Sequence, residues 1–372
     1  MIFTCTKENI IESLGLVSGI AGRQSTLPIL TNVCLEAKES GVEILATNLE
    51  IALKAHLRAK VEQTGTFTVP AKVLGDYINL LPDEQITITL EGNELHVVCG
   101  SSSTKIKGMP AEDFPVLPAI DEQHAYTVNV NELKDALGKT VIAASKNEIR
   151  PELAGLCCHF FPEGYTGVIF AATDSYRLAE KKMAVAQGTD QFSCIIPSRT
   201  AFEMIRILGG SHSDETNVRL WASDGQIALR YGQVEMTSRL VDGTYPDYTQ
   251  IIPDNFATTA LLQNDEFIKR IKAASLFATD GINAVSFDIN AEQKNVGVSS
   301  TSAQSGEHSS EIDGDISGQE NSILLNHRYV LDGLGHISSP QVKFQVNSNE
   351  QPCMFRPADS DDYLYIVMPI RQ

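Results

Sequence analysis

The sequence predicts an α+β fold of three similar domains, each with two helices packed on antiparallel sheet. Three observations predict it. Helix-like and strand-like stretches recur three times in one order, landmark residues repeat at near-constant offsets, and turn-forming residues separate the alternating runs.

Each third opens on a stretch whose apolar residues return every three or four positions: residues 8–22, 131–145 and 264–278. Thr6 is placed to cap the first of these, and Asn129 followed by Glu132 fits a capping box for the second. Alternating strand-like runs follow around a polar element. That element is Thr47-Asn48-Leu49-Glu50 in the first copy, Thr173-Asp174-Ser175-Tyr176 in the second and the degenerate Ser299-Ser300-Thr301 in the third. A second helix-like stretch comes next, at 69–82, 196–210 and 325–337. Hairpin signals then appear at Glu91-Gly92-Asn93 and Ser223-Asp224-Gly225. The copies close on Asp113-Phe114-Pro115, Tyr245-Pro246-Asp247 and Met368-Pro369.

The offsets agree: Thr47 to Thr173 is 126 residues, Pro70 to Pro197 is 127, Pro197 to Asn326 is 129 and Pro246 to Pro369 is 123. Proline-bearing connectors at 117–122 and 252–255 place the domains at 1–120, 121–252 and 253–372.

Composition narrows the function. Hydrophobic residues are 42% and charged residues 20% of the 372, as in soluble globular proteins. No apolar run reaches the roughly 18 residues of a membrane span, and the first residues lack a secretory signal's basic and apolar parts. A cytoplasmic location without membrane contact is expected. The seven cysteines are scattered and never spaced as CxxC, so they read as small buried hydrophobes in a reducing compartment. The eight histidines show no ligand spacing; no metal and no cofactor is expected.

A net charge of −18 argues against wrapping nucleic acid, unless the charge is unevenly spread. It is. The six helix-like stretches together with the flanking Lys7, Arg23 and Lys146 hold twelve basic and nine acidic residues, a net +3, which leaves −21 for the remainder. Helices facing a common centre would accommodate DNA through phosphates, without sequence readout. Mixed helix charge for solubility gives the same composition.

Catalytic motifs fail on inspection. Gly138-Lys139-Thr140 resembles the end of a phosphate-binding loop, but Leu133 stands where glycine is needed, inside a helical pattern. Gly333-Leu334-Gly335 is too short for a dinucleotide fingerprint, and neither a nucleophile elbow nor a concentrated carboxylate pattern is present. No catalytic residue is assigned.

Several segments, in order along the whole chain, resemble the bacterial DNA polymerase III beta subunit, or beta sliding clamp. They are Thr26-Leu27-Pro28-Ile29-Leu30-Thr31-Asn32, the run from Ala172 to Ala179, the run from Arg239 to Tyr248, and the closing Val367 to Arg371. The resemblance implies the DNA-clamp fold and a head-to-tail homodimer, a six-domain ring around duplex DNA. It implies a non-catalytic processivity factor that binds the replicative DNA polymerase, the clamp loader and repair proteins through their short linear peptides.

By the matching motifs, the peptide cleft lies between the second and third domains under the C-terminal tail. Its wall is Leu153, Thr173, Ser175, Tyr176, Arg177, Leu178, Pro246, Asn326, Tyr329, Val367, Met368 and Pro369, with Ile251 and Ile366 as further apolar lining and Arg371 as a polar rim. Arg23, Asn147 and Arg199 match positions the family uses for DNA. Tyr176 stands where the family often has histidine, and Gln250 where some members have arginine. Two other readings compete: a replication scaffold that uses the cleft without encircling DNA, and a 3'-5' nuclease.

Overall fold

A computed structural model describes residues 1–21, 27–147, 149–210, 213–279 and 281–371. The first third contains β1 (Ile2–Thr6), α1 (Lys7–Val17), β2 (Asn32–Lys38), β3 (Gly41–Thr47), β4 (Ile51–Leu57) and β5 (Lys60–Gln63). It continues with β6 (Gly65–Pro70), α2 (Ala71–Leu80), β7 (Gln85–Glu91), β8 (Glu94–Cys99) and β9 (Ser102–Lys107). The central third has β10 (His124–Asn129), α3 (Val130–Val141), β11 (Gly155–Phe160), β12 (Val168–Thr173) and β13 (Arg177–Met183). Then come β14 (Phe192–Pro197), α4 (Ser198–Leu208), β15 (Asn217–Ser223), β16 (Gln226–Tyr231) and β17 (Val234–Arg239). The last third has β18 (Thr258–Gln263), α5 (Asn264–Ser275), β19 (Ala284–Asn290), β20 (Asn295–Ser302), β21 (Gly306–Asp313) and β22 (Asp315–Gly318). It ends with β23 (Asn321–Asn326), α6 (His327–Leu334), β24 (Gln341–Val346), β25 (Cys353–Pro357) and β26 (Tyr363–Val367).

All six expected helices form. Thr6 accepts from the Asn9 N–H (3.3 Å), Asn129 Oδ1 from Asn131 N–H (2.9 Å) and Asn326 Oδ1 from Arg328 N–H (3.0 Å), so each side chain satisfies a donor the first helical turn leaves open. The hairpin turns fall where expected: Glu91 faces Glu94 across Gly92, which takes φ 59°, and Ser223 faces Gln226.

The repeat is finer than threefold. Every third holds two β-α-β-β-β halves that exchange their first strands, with β5 and β22 as additional strands in the first and last thirds. β1 pairs with β7 and β6 with β2; β10 pairs with β15 and β14 with β11; β18 pairs with β24 and β23 with β19.

The chain folds as two compact units. One comprises Met1–Asn131, Ala186–Asp190 and Glu203–Leu240; the other comprises Glu132–Val185, Gln191–Phe202 and Val241–Gln372. In the first unit an eight-stranded sheet runs β10-β15-β16-β17-β4-β3-β2-β6 beside the five-stranded β5-β1-β7-β8-β9. In the second, a nine-stranded sheet runs β14-β11-β12-β13-β26-β25-β24-β18-β22 beside the four-stranded β21-β20-β19-β23. Each large sheet therefore joins strands of the central third to those of a neighbouring third, through β4–β17 in one unit and β13–β26 in the other. Buried aromatics fill the last third, where Phe344 stacks on Phe355 at 4.8 Å and meets Phe267 and Phe287 at 5.9 and 5.8 Å.

One expectation is corrected. Ser299, Ser300 and Thr301 lie within β20, paired to β21, and the turn comes at Ser302. Ser302 Oγ faces the N–H groups of Gln304 (3.3 Å) and Ser305 (3.4 Å), and Ser302 lies 129 residues after Thr173, the same offset as Pro197 to Asn326. A run of small polar residues gives no local signal of where a strand ends, so the turn is visible only in the pairing.

All seven cysteines are free; six are buried and Cys194 is half-buried. Burial pushes the thiols of Cys5, Cys34 and Cys157 up to about 12. At pH 8 about one such thiol in ten thousand is ionised. In the folded protein, Ellman's reagent is expected to label Cys194 first and the buried thiols only as they become exposed by denaturant; rapid labelling of several thiols in buffer alone would contradict this packing. Among the described residues no helix is long and apolar enough to cross a membrane, and no three His, Cys, Asp or Glu side chains form a metal-binding group.

Candidate functional site

The polar element of the second copy is a tight turn between β12 and β13. Thr173 Oγ1 donates to the Arg177 carbonyl (2.6 Å) and accepts from the Ser175 N–H (3.1 Å). Asp174 Oδ1 accepts from the N–H groups of Tyr176 (2.9 Å) and Arg177 (3.0 Å). Ser175 adopts φ 77°, a conformation such a hydrogen-bonded turn can hold. The result pushes Ser175 and Tyr176 outward; Tyr176 is 62% exposed.

Arg177 turns inward. Its guanidinium meets Asp174 through Nε (3.1 Å) and Asp332 on α6 through Nη1 (2.5 Å), and lies 4.6 Å from the Tyr329 ring centre. Burial opposes its charge, but the Tyr365 hydroxyl and the two carboxylates outweigh that cost, and the group is held above the ordinary arginine value. Tyr329 is thereby fixed between the cation and Tyr176, whose ring stacks on it at 6.4 Å and 20°. The Tyr365 hydroxyl also donates to the Tyr329 carbonyl (2.9 Å).

The chain end is laid against this turn by backbone pairing. Arg177 faces Val367 and Leu178 faces Ile366; beyond β26, Met368 N–H donates to the Tyr176 carbonyl (2.8 Å) and Ile370 N–H to Leu324 (2.9 Å). Beneath lies an apolar cluster of Cys157, Ala171, Leu178, Tyr248, Met354, Leu364 and Ile366, with Tyr245, Ile252 and Phe256 packed on it. The Tyr245 hydroxyl accepts from the Thr173 N–H (2.9 Å), which ties the segment preceding Pro246 to the turn; burial raises that phenol.

Of the expected wall residues, Ser175, Tyr176, Ile251 and Arg371 are exposed. Pro246, Asn326, Tyr329, Met368 and Pro369 are half-buried. Leu153, Thr173, Arg177, Leu178, Ile366 and Val367 are buried and form framework instead of surface. Ile252 packs on the apolar cluster while its neighbour Ile251 points to solvent. Sequence reasoning missed Asp332, Tyr365, Tyr245 and Asp174 as the groups that hold Arg177 and the turn. The signal for Tyr245 was present, since it opens the Tyr-Pro-Asp-Tyr stretch.

Of the residues expected to meet DNA, Arg23 lies outside the described residues. Asn147 is exposed in the loop after α3, where its Oδ1 accepts from Ile149 N–H (3.0 Å). Arg199 is exposed on the first turn of α4. Ser198 N–H donates to Ala154 (3.2 Å), which brings that loop and the helix start together. Much of the helix charge is neutralised locally by Lys72–Asp76, Lys139–Asp135, Arg206–Glu203 and Arg270–Glu266. Lys134, Lys146, Arg199, Lys269, Lys272 and Arg328 make no ion pair among the described residues.

Comparison with known proteins agrees over the full length. Residues 1–118, 127–247 and 249–371 match the family models described as the DNA polymerase III beta subunit N-terminal, central and C-terminal domains. The beta sliding clamp of Synechococcus elongatus is 29% identical over 377 residues, covering 100% of this chain and 99% of the relative; that of Staphylococcus epidermidis is 28% identical with the same coverage. The crystal structure of the sliding clamp from Bacillus subtilis superposes with a TM-score of 0.94 at 26% identity, covering 100% of this chain and 99% of that one. The Thermotoga maritima beta subunit gives 0.92 at 27% identity, and the Pseudomonas aeruginosa clamp bound to griselimycin gives 0.92 at 26%; each covers 100% of both chains. The chain belongs to the DNA polymerase III beta subunit family, and its function is that of a DNA sliding clamp, a non-catalytic processivity factor.

Proposed function

We propose that two copies of this chain close head-to-tail around duplex DNA and carry polymerase, clamp loader and repair proteins by peptides seated at the turn 173–177 beneath the tail. The observation that carries the cleft is the stacked Tyr176–Tyr329 pair beside a tail pinned by backbone hydrogen bonds. It offers an aromatic surface and apolar Met368 and Pro369, backed by strands β13 and β26 in the interior of a nine-stranded sheet. The domains are taken as 1–120, 121–252 and 253–372, and the site of action as the cytoplasm. Arg23, Asn147 and Arg199 are the proposed phosphate contacts.

Weak, sequence-independent contacts suit this role. The few helix cations without carboxylate partners attract phosphate, and the ring, once closed, needs no affinity to stay on. Loaded by a clamp loader, the protein is expected to persist on nicked circular DNA and to be lost from linear DNA of equal length within the time of a gel-filtration run. Equal loss from both would replace the ring with a scaffold that does not encircle DNA.

A further inference from the structure

A buried carboxylate interrupts the apolar floor beneath the tail. On β13 the alternation that points Leu178 into the cluster points Glu180 there too, opposite Ala171 on β12 and Leu364 on β26, both members of the cluster. Glu180 is 6% exposed. A carboxylate so far from water is costly unless it is bonded, and an apolar side chain of like volume would complete the floor. Lys182 does little for it: Nζ stands 3.7 Å from Oε1, past hydrogen-bond length, and lies 5.9 Å from the Tyr165 ring centre. His159 on β11 feels the same charge, but burial holds its ring below the ordinary value and so neutral at pH 7. The bond comes from Tyr248, whose hydroxyl donates to the carboxylate. Burial, with the carboxylate beside it, pushes that phenol up, so it stays a donor.

Tyr248 belongs to the segment that borders the site. Asp247 closes a single turn there, accepting from Thr249 N–H (3.1 Å), Thr249 Oγ1 (2.6 Å) and Gln250 Nε2 (2.9 Å). Those bonds shape the turn without fixing how it lies on the sheet. Tyr245, Tyr248, Ile251 and Ile252 could each cover an apolar floor, and a slip would exchange Ile252, now packed down, for Ile251, now 36% exposed. Two phenols remove that freedom. Tyr245 accepts from Thr173 N–H (2.9 Å) and Tyr248 donates to Glu180, with the two rings edge to face at 6.4 Å. A buried polar contact that sets register is the use for which such a group is best attested.

We propose that Glu180 is a positioning residue for the partner-peptide site: through Tyr248 it fixes the register of residues 245–252, so that Pro246 and Ile251 are presented to the bound peptide. The proposal rests on the reading of the 173–177 turn and the tail as that site.

The test measures binding of the intact protein, without DNA, to the purified replicative polymerase of the same organism. Glu180→Met and Tyr248→Phe, close in volume to the residues they replace, are each expected to weaken binding about fivefold or more, and the double substitution no further. Glu180→Gln keeps an oxygen that accepts from Tyr248 and is expected to stay within about twofold of the parent. A residue that only stabilised the core would lower the denaturant midpoint and leave the affinity of the folded protein unchanged. If Glu180→Met misfolds, Tyr248→Phe tests the same bond from its other end. Unchanged affinity in Tyr248→Phe, equal losses for Gln and Met at 180, or losses that add in the double substitution would overturn the proposal. Failure of the site reading itself shows separately, as polymerase binding that survives Met368→Asp.

Discussion

Met368→Asp is expected to abolish polymerase stimulation, with partner-peptide affinity falling by about a hundredfold or more, while the fold and self-association are retained. The tail is held by main-chain bonds, Met368 N–H to Tyr176 O and Ile370 N–H to Leu324 O, which any side chain permits. The half-buried side chain belongs to the surface the peptide would cover. A carboxylate desolvated there without a partner costs roughly 3 kcal/mol or more, which corresponds to that loss. Stimulation of polymerase in the presence of loader, together with native mass by size exclusion, decides it. Retained stimulation would move the partner site elsewhere.

Arg177→Met should damage both stability and the site. The methionine keeps much of the stem's volume but removes the bonds to Asp174 and Asp332 and the cation beside Tyr329. Asp174, 15% exposed, is left near-buried without its counter-charge. Breaking a buried pair from one side costs about 3–5 kcal/mol; because Asp332 is half-exposed and can rehydrate, about 2–3 kcal/mol is expected here. Denaturant titration should show the midpoint falling, and double substitution with Asp174→Asn should recover part of the loss. An unchanged midpoint would mean that the guanidinium network contributes little.

The legible part of the molecule was the local part. Six helices and two hairpins follow from apolar spacing, Asn and Thr caps and the Gly92 and Gly225 turns, because each depends on neighbours within a few residues. Neither the exchange of first strands between half-repeats nor the joining of thirds showed, since β1 finds β7 and β13 finds β26 across long stretches of chain with no local sign of partner choice. At the site, the 173–177 turn was readable because its bonds close within five residues. Asp332 and Tyr365 were not, because they reach Arg177 only after α6 and β26 have packed. The positive tendency of the helices was real in composition, but four of the twelve cations, Lys72, Lys139, Arg206 and Arg270, are spent on carboxylates a turn away.

The sheets that run through β4–β17 and β13–β26 make the central third a poor candidate for life on its own. Cut free at 120 and 252, it would carry two raw strand margins, β17 and β13, each lined with unpaired main-chain donors and acceptors and backed by apolar side chains. Such margins recruit one another, so the isolated segment is poised to polymerise. The three-part chain is in this sense a single covalent safeguard, in which each outer part keeps an adhesive border of the middle one occupied from the moment it folds.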